Sequence, residues 1–114
     1  LRMPKKLAEF AHLFSESLRD GFENAADGKS VLSVLRRKDA LRRPERFAQL
    51  LRLLKAAHRI DSDEKWLTSV EAVRSLDFRS ISESATDKSR IPQLIEEASV
   101  RAIDETLDKL TDQH

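Results

Sequence analysis

Apolar side chains recur every three or four residues along most of this chain, the spacing that places them on one face of an α-helix. Leu7, Phe10, Ala11, Phe14 and Leu18 form the first stripe, headed by Pro4, whose missing N–H costs nothing in a first turn; a helix over 4–20 is predicted. Gly21 and Asn24-Ala25-Ala26-Asp27-Gly28 interrupt it. Val31, Leu32, Val34 and Leu35 then outline a short helix near 29–38, and its last turn, Arg36-Arg37-Lys38, complements the negative end of the helix dipole. Pro44 heads a third helix, near 43–59, with Phe47, Leu50, Leu51, Leu54 and Ala57 on one side.

Asp61 and Glu64 have the spacing of a capping box for a fourth helix, striped by Trp66, Leu67, Val70, Val73 and Leu76. Phe78 to Ser84 suits one further turn or short helix, and Ala85 to Ser89 reads as a loop in which Ser89 can cap the last helix. That helix keeps Ile91, Leu94, Ile95, Ala98, Ala102, Ile103, Leu107 and Leu110 on its apolar side, to about residue 110. Short connections make consecutive helices antiparallel neighbours, so the expected fold is all-α, a compact bundle of about five helices in one domain.

Composition agrees. Two glycines and three prolines in 114 residues are too little turn chemistry for a sandwich or barrel. No run of roughly 18 apolar residues is present to span a membrane, and the N-terminus lacks the apolar core of a signal peptide. With no cysteine, disulfides, thiolate zinc sites and cysteine nucleophiles are excluded, and the cytoplasm is the expected compartment. The chain begins at Leu1 rather than Met, so a fragment of a larger protein is expected.

Charge changes the picture more. The net charge is +1, yet residues 1–60 hold 14 Lys/Arg against 7 Asp/Glu, and residues 61–114 hold 7 against 13. Nine of the basic residues lie within 36–59, a local excess that attracts polyanions, although such runs often only solvate a helix face. Arg36, Arg37, Lys38, Arg42 and Arg43 occupy a helix end, a turn and the next helix start, from which they can fan toward a phosphate backbone. The start of the third helix adds N–H groups that favour anions, and Arg52, Lys55 and Arg59 continue along it. Arg46 has two readings: an RNA contact, or a brace folded back onto Asp39. Scarce aromatics argue against base stacking on single strands and for charge and shape readout of a folded RNA.

Other chemistries lack their residues. His12, His58 and His114 have no metal-ligand spacing, and Asp61-Ser62-Asp63-Glu64 lacks the glycine and spaced glutamate of a calcium loop. Glu96 and Glu97 are helix neighbours pointing about 100° apart. There is no nucleophile elbow, phosphate-binding glycine loop or dinucleotide fingerprint, and Trp66 sits at core spacing.

The segment Asp39-Ala40-Leu41-Arg42-Arg43-Pro44-Glu45-Arg46-Phe47-Ala48-Gln49-Leu50-Leu51 resembles one in the C-terminal helical part of bacterial CCA-adding enzymes (tRNA nucleotidyltransferases, in the poly(A) polymerase-like family), where it begins a long helix. Ser30 to Leu35 is similar to the short helix before it, the helix after Met3-Pro4 to the one joining head and tail, and Ile91 to Ile103 to the closing helix. The resemblance implies a parent enzyme that adds the terminal CCA of tRNA from CTP and ATP, with magnesium held by carboxylates of an N-terminal catalytic head. No Gly-Gly strand-loop motif or aspartate pair of that head occurs here, so neither catalytic residues nor a cofactor are expected in this chain. Its expected role is to hold tRNA beside that head, with Arg36, Arg37, Lys38, Arg42, Arg43 and Arg46 as contacts. The glycines usual before the last helix are replaced by Asp87-Lys88-Ser89, and no arginine/glycine-rich insertion follows the third helix. The competing expectation is a protein-interaction module, a homodimer included, in which the basic half of one chain faces the acidic half of another.

Overall fold

In the computed structural model, which describes residues 4–112, six helices follow one another: α1 (Lys5–Asp20), α2 (Gly28–Arg37), α3 (Pro44–Ala56), α4 (Glu64–Arg74), α5 (Phe78–Ser84) and α6 (Ile91–Asp112). Single 3-10 turns at Phe22–Asn24 and Lys88–Arg90 lie between helices, and the described residues contain no strand. The all-α expectation holds, and the stretch read as one further turn or short helix is α5.

The apolar stripes converge as their spacing requires. Val31 and Leu35 of α2, Leu50, Leu51 and Leu54 of α3 and Ile103 of α6 have no exposed surface. Each such side chain contributes about 1.5–3 kcal/mol relative to exposure. Phe22, Phe47 and Trp66 meet in an aromatic triangle with centroids 5.1–6.2 Å apart, tilted or edge-on as ring quadrupoles prefer. It joins the first 3-10 turn to α3 and α4. Lys65 tightens the same junction: its ammonium donates to the Ala25 carbonyl and lies 5.0 Å from the Trp66 ring centroid.

Packing order departs from the sequential neighbours expected. The last helix is the hub, with α2, α4 and α5 all packed on it. Gly28 at the start of α2 meets Asp104, whereas Arg36 near its end meets Glu96, so α2 and α6 run antiparallel. A Cβ at Gly28 would lie 2.6 Å from both the Val100 carbonyl oxygen and Asp104 Oδ1. Glycine here serves close approach: its N–H donates to Asp104 Oδ1 at 2.7 Å.

Helix ends also differ from the sequence reading, each for a local reason. α3 stops three residues before the expected limit because His58 takes a left-handed conformation, φ 59°. The His58 and Arg59 N–H groups then close back on the Lys55 and Leu54 carbonyls, a Schellman ending made without glycine. α2 ends the same way through Asp39, φ 58°. The Asp61–Glu64 capping box does not form; the Ser62 hydroxyl accepts the Glu64 N–H instead. Nor does Ser89 cap α6, because its N–H and hydroxyl both donate to Asp87, which starts the second 3-10 turn.

Candidate nucleic-acid interface

The corner between α2 and α3 distributes the basic band. At Lys38 the chain leaves α2, and its side chain turns inward with none of its surface exposed; Nζ lies 2.5 Å from Asp20 Oδ2 and 2.9 Å from Glu16 Oε1 on α1. Lys38 is therefore a correction to the contact set, since an enclosed ammonium with two carboxylates cannot reach an external phosphate. Its Nζ also stands 5.6 Å from the Phe22 ring centroid, so the charge ties α1 and α2 to the aromatic triangle.

Arg46 braces this corner, but not through Asp39: its Nη2 donates to the Lys38 carbonyl at 3.1 Å. Its Nε is buried with no partner among the described residues. Asp39 is occupied by the other two arginines. Arg42 Nη2 lies 2.9 Å and Arg43 Nε 3.6 Å from Asp39 Oδ2, yet the Arg42 side chain remains 74% exposed and that of Arg43 47%. Such exposed pairs are weak, so Asp39 orients both guanidinium groups without withdrawing them from solvent.

Arg42, Arg43 and Arg46 line a groove of about 1080 Å³. Lys5 and Lys6 from the first turn of α1 and Arg74 from the last turn of α4 line the rest of its charged wall. Six cations, from α1, the turn before α3, α3 itself and α4, thus line one space, against Glu9 and Glu45. The first turns of α1 and α3 both border it, and neither Pro4 nor Arg43 supplies a side-chain cap. Two helix N-termini whose first N–H groups have no side-chain cap among the described residues add to the positive potential.

Lys5, Lys6 and Arg74 lay outside the sequence-derived set. A signal for the two lysines was present: cations in a first turn oppose the helix dipole, and α1 has no acidic residue there to offset them. Nothing local marks Arg74, because a basic residue in a last turn is what the dipole favours.

Arg36 and Arg37 face elsewhere. Arg36 Nη1 pairs with Glu96 Oε1 at 3.0 Å, joining the basic and acidic halves within one chain. Arg37 lines a separate depression of about 430 Å³ with Lys29, between α2 and the Asp20–Phe22 turn. Arg59 is structural: it donates to the Leu18 carbonyl at 2.8 Å and approaches Glu23, tying the end of α3 to the end of α1. His12 pairs at 3.8 Å with Glu16, and His114 lies outside the described residues. Among the described residues no group of three or more His, Asp or Glu converges as a metal site would require. No described helix is long and apolar enough to cross a membrane.

Comparison with known proteins gives a consistent set of relatives. The chain is 35% identical over 119 residues to the multifunctional CCA protein of Dechloromonas aromatica, which covers 95% of this chain and 29% of that protein. It is 40% identical over 83 residues to the multifunctional CCA protein of Aromatoleum aromaticum, covering 65% of this chain and 20% of the relative. With the CCA-adding enzyme of Bordetella pertussis it shares 32% identity over 104 residues, 90% of this chain and 28% of the enzyme. The chain thus spans less than a third of the length of the curated relatives it matches, in their C-terminal fraction. No protein-family model and no solved structure matches it.

Proposed function

We propose, from the premise that this chain is homologous to the C-terminal region of the CCA-adding proteins, that it is an RNA-holding helical domain which grips tRNA in the groove between α1, α3 and α4. In this reading nucleotidyl transfer from CTP and ATP belongs to a catalytic head elsewhere in the parent protein. This domain contributes affinity and orientation. The observation that carries the reading is the gathering of Lys5, Lys6, Arg42, Arg43, Arg46 and Arg74 around one space although they are far apart in sequence. Phosphates are the ligand such a wall suits: point charges from lysine, forked donors from arginine and the N–H groups of two helix starts. Contacts of this kind are independent of base sequence and release counterions, so affinity falls steeply with salt.

The test is a tRNA titration of the purified chain at several salt concentrations, with light scattering on the same samples. The reading expects a linear loss of log affinity with log salt, from a monomer. A chain that self-associates and shows no tRNA affinity at low salt overturns it and favours the interaction module. Arg36 and Arg37 enter as secondary contacts, outside the groove.

A further inference from the structure

The groove contains more than a phosphate-binding wall needs. Leu7, Phe10 and Pro44 line it alongside the cations, and Leu7 is 53% exposed at the surface of α1. Glu9, Glu45 and Gln49 also line it, and neither glutamate pairs with a cation among the described residues. A surface that met only a duplex backbone would gain nothing from apolar side chains and would lose affinity to each carboxylate. Its size, about 1080 Å³, exceeds the roughly 300–1,000 Å³ of small-ligand pockets, leaving room for more than one nucleotide.

These features have one common complement. An unpaired nucleotide offers an anionic phosphate, a flat apolar face and a polar base edge together. Base paired in an A-form helix, that edge is occupied and the face is stacked. A carboxylate only accepts hydrogen bonds, so it selects an edge rich in donors. The Watson–Crick edge of guanine presents two adjacent donors, its ring N–H and its amino group, matched to the two oxygens of one carboxylate.

Resting on the tRNA-holding reading, we propose that the groove takes an unpaired guanosine of the RNA. Its phosphates pair with Lys5, Lys6, Arg42 and Arg43, its base lies against Leu7, Phe10 and Pro44, and its Watson–Crick edge is read by Glu45 or Glu9.

The test compares two short RNAs of equal charge, a blunt duplex and a hairpin with an unpaired guanosine in its loop, with inosine or adenosine replacing that guanosine in controls. Binding of each to the unaltered chain and to Glu9→Gln with Glu45→Gln is measured by fluorescence anisotropy. If the glutamates merely border a backbone site, removing two negative charges strengthens binding of every RNA. If they read guanine, the double variant binds the duplex more tightly but the guanosine hairpin about tenfold more weakly, a loss typical of a bidentate base contact. Leu7→Ala, at an exposed position that leaves the core intact, weakens the hairpin about threefold and leaves the duplex unchanged. Equal strengthening of both RNAs by the glutamate substitutions overturns the inference while leaving the phosphate-binding groove in place. Failure of the unaltered chain to bind either RNA, or tRNA, overturns the underlying reading.

Discussion

Lys38 Nζ and Asp20 Oδ2 stand 2.5 Å apart in the most enclosed ion pair among the described residues, at the point where α2 turns toward α3. The same residue that shields its ammonium inside offers its carbonyl to Arg46 outside, so the basic corner rests on a buried charge. Removing the lysine leaves Asp20 facing a cavity. Lys38→Ala is expected to cost about 2–3 kcal/mol, below the full penalty of a buried pair because Asp20 is partly exposed. Urea denaturation measures the loss, and tRNA affinity corrected for the folded fraction stays unchanged. A selective loss of affinity at unchanged stability would return Lys38 to the binding surface.

In the groove, Arg42→Ala with Arg43→Ala is expected to weaken tRNA about tenfold and reduce the slope of log affinity against log salt by about 2, near one for each phosphate contact. Stability changes by less than about 0.5 kcal/mol, since both pairs with Asp39 are exposed. Lys6→Ala with Arg74→Ala produces a comparable binding loss despite the distance in sequence, and Arg36→Ala with Arg37→Ala a smaller one. Filter binding across salt concentrations ranks the three.

Gly28→Ala puts a methyl group into the backbone of α6 and is expected to destabilise by about 1–3 kcal/mol, the cost of overpacking a contact that cannot give. Asp104→Ala is milder, about 1 kcal/mol, because it removes one hydrogen bond and opens space. Thermal melts of the two variants should fall in that order.

His58→Gly is expected to stabilise by about 0.5–1 kcal/mol, relieving a left-handed conformation at an exposed position. Asp39→Gly relieves the same strain but frees Arg42 and Arg43, so its gain is smaller. Denaturant midpoints distinguish them.

Three carboxyls are held below their ordinary range in the folded chain. Glu16 is lowered chiefly by its hydrogen bond from Lys38 and then by that lysine's charge, and Asp27 and Asp87 by hydrogen bonds from Ser30 and Ser89. A folded pKa below the unfolded one means the unfolded chain takes up protons first as pH falls. The stabilisation is present in full above the unfolded values, 4.5 for Glu16 and 3.8 for the two aspartates, and is lost as pH drops through the folded ones. Melting temperature should decline below about pH 4.5, and Glu16→Gln should flatten part of that decline.

Periodicity and punctuation determined the elements by themselves. The stripes from Leu7 to Leu18 and from Phe47 to Leu54, and the proline at the head of α3, dictate helices whatever surrounds them, because a 3.6-residue repeat has only one conformation that collects its apolar side chains. The asymmetry of charge was legible for the same reason, since it is a property of composition. The tertiary structure decided which charges share a surface. Lys38 and Arg42 are four residues apart and equally cationic, yet one is enclosed by Glu16 and Asp20 and the other faces the groove, because the left-handed turn at Asp39 reverses the chain between them. Lys5, Lys6 and Arg74 join Arg42 and Arg43 only through the packing of α1, α3 and α4. That proximity is a matter of helix docking, and no local pattern encodes it.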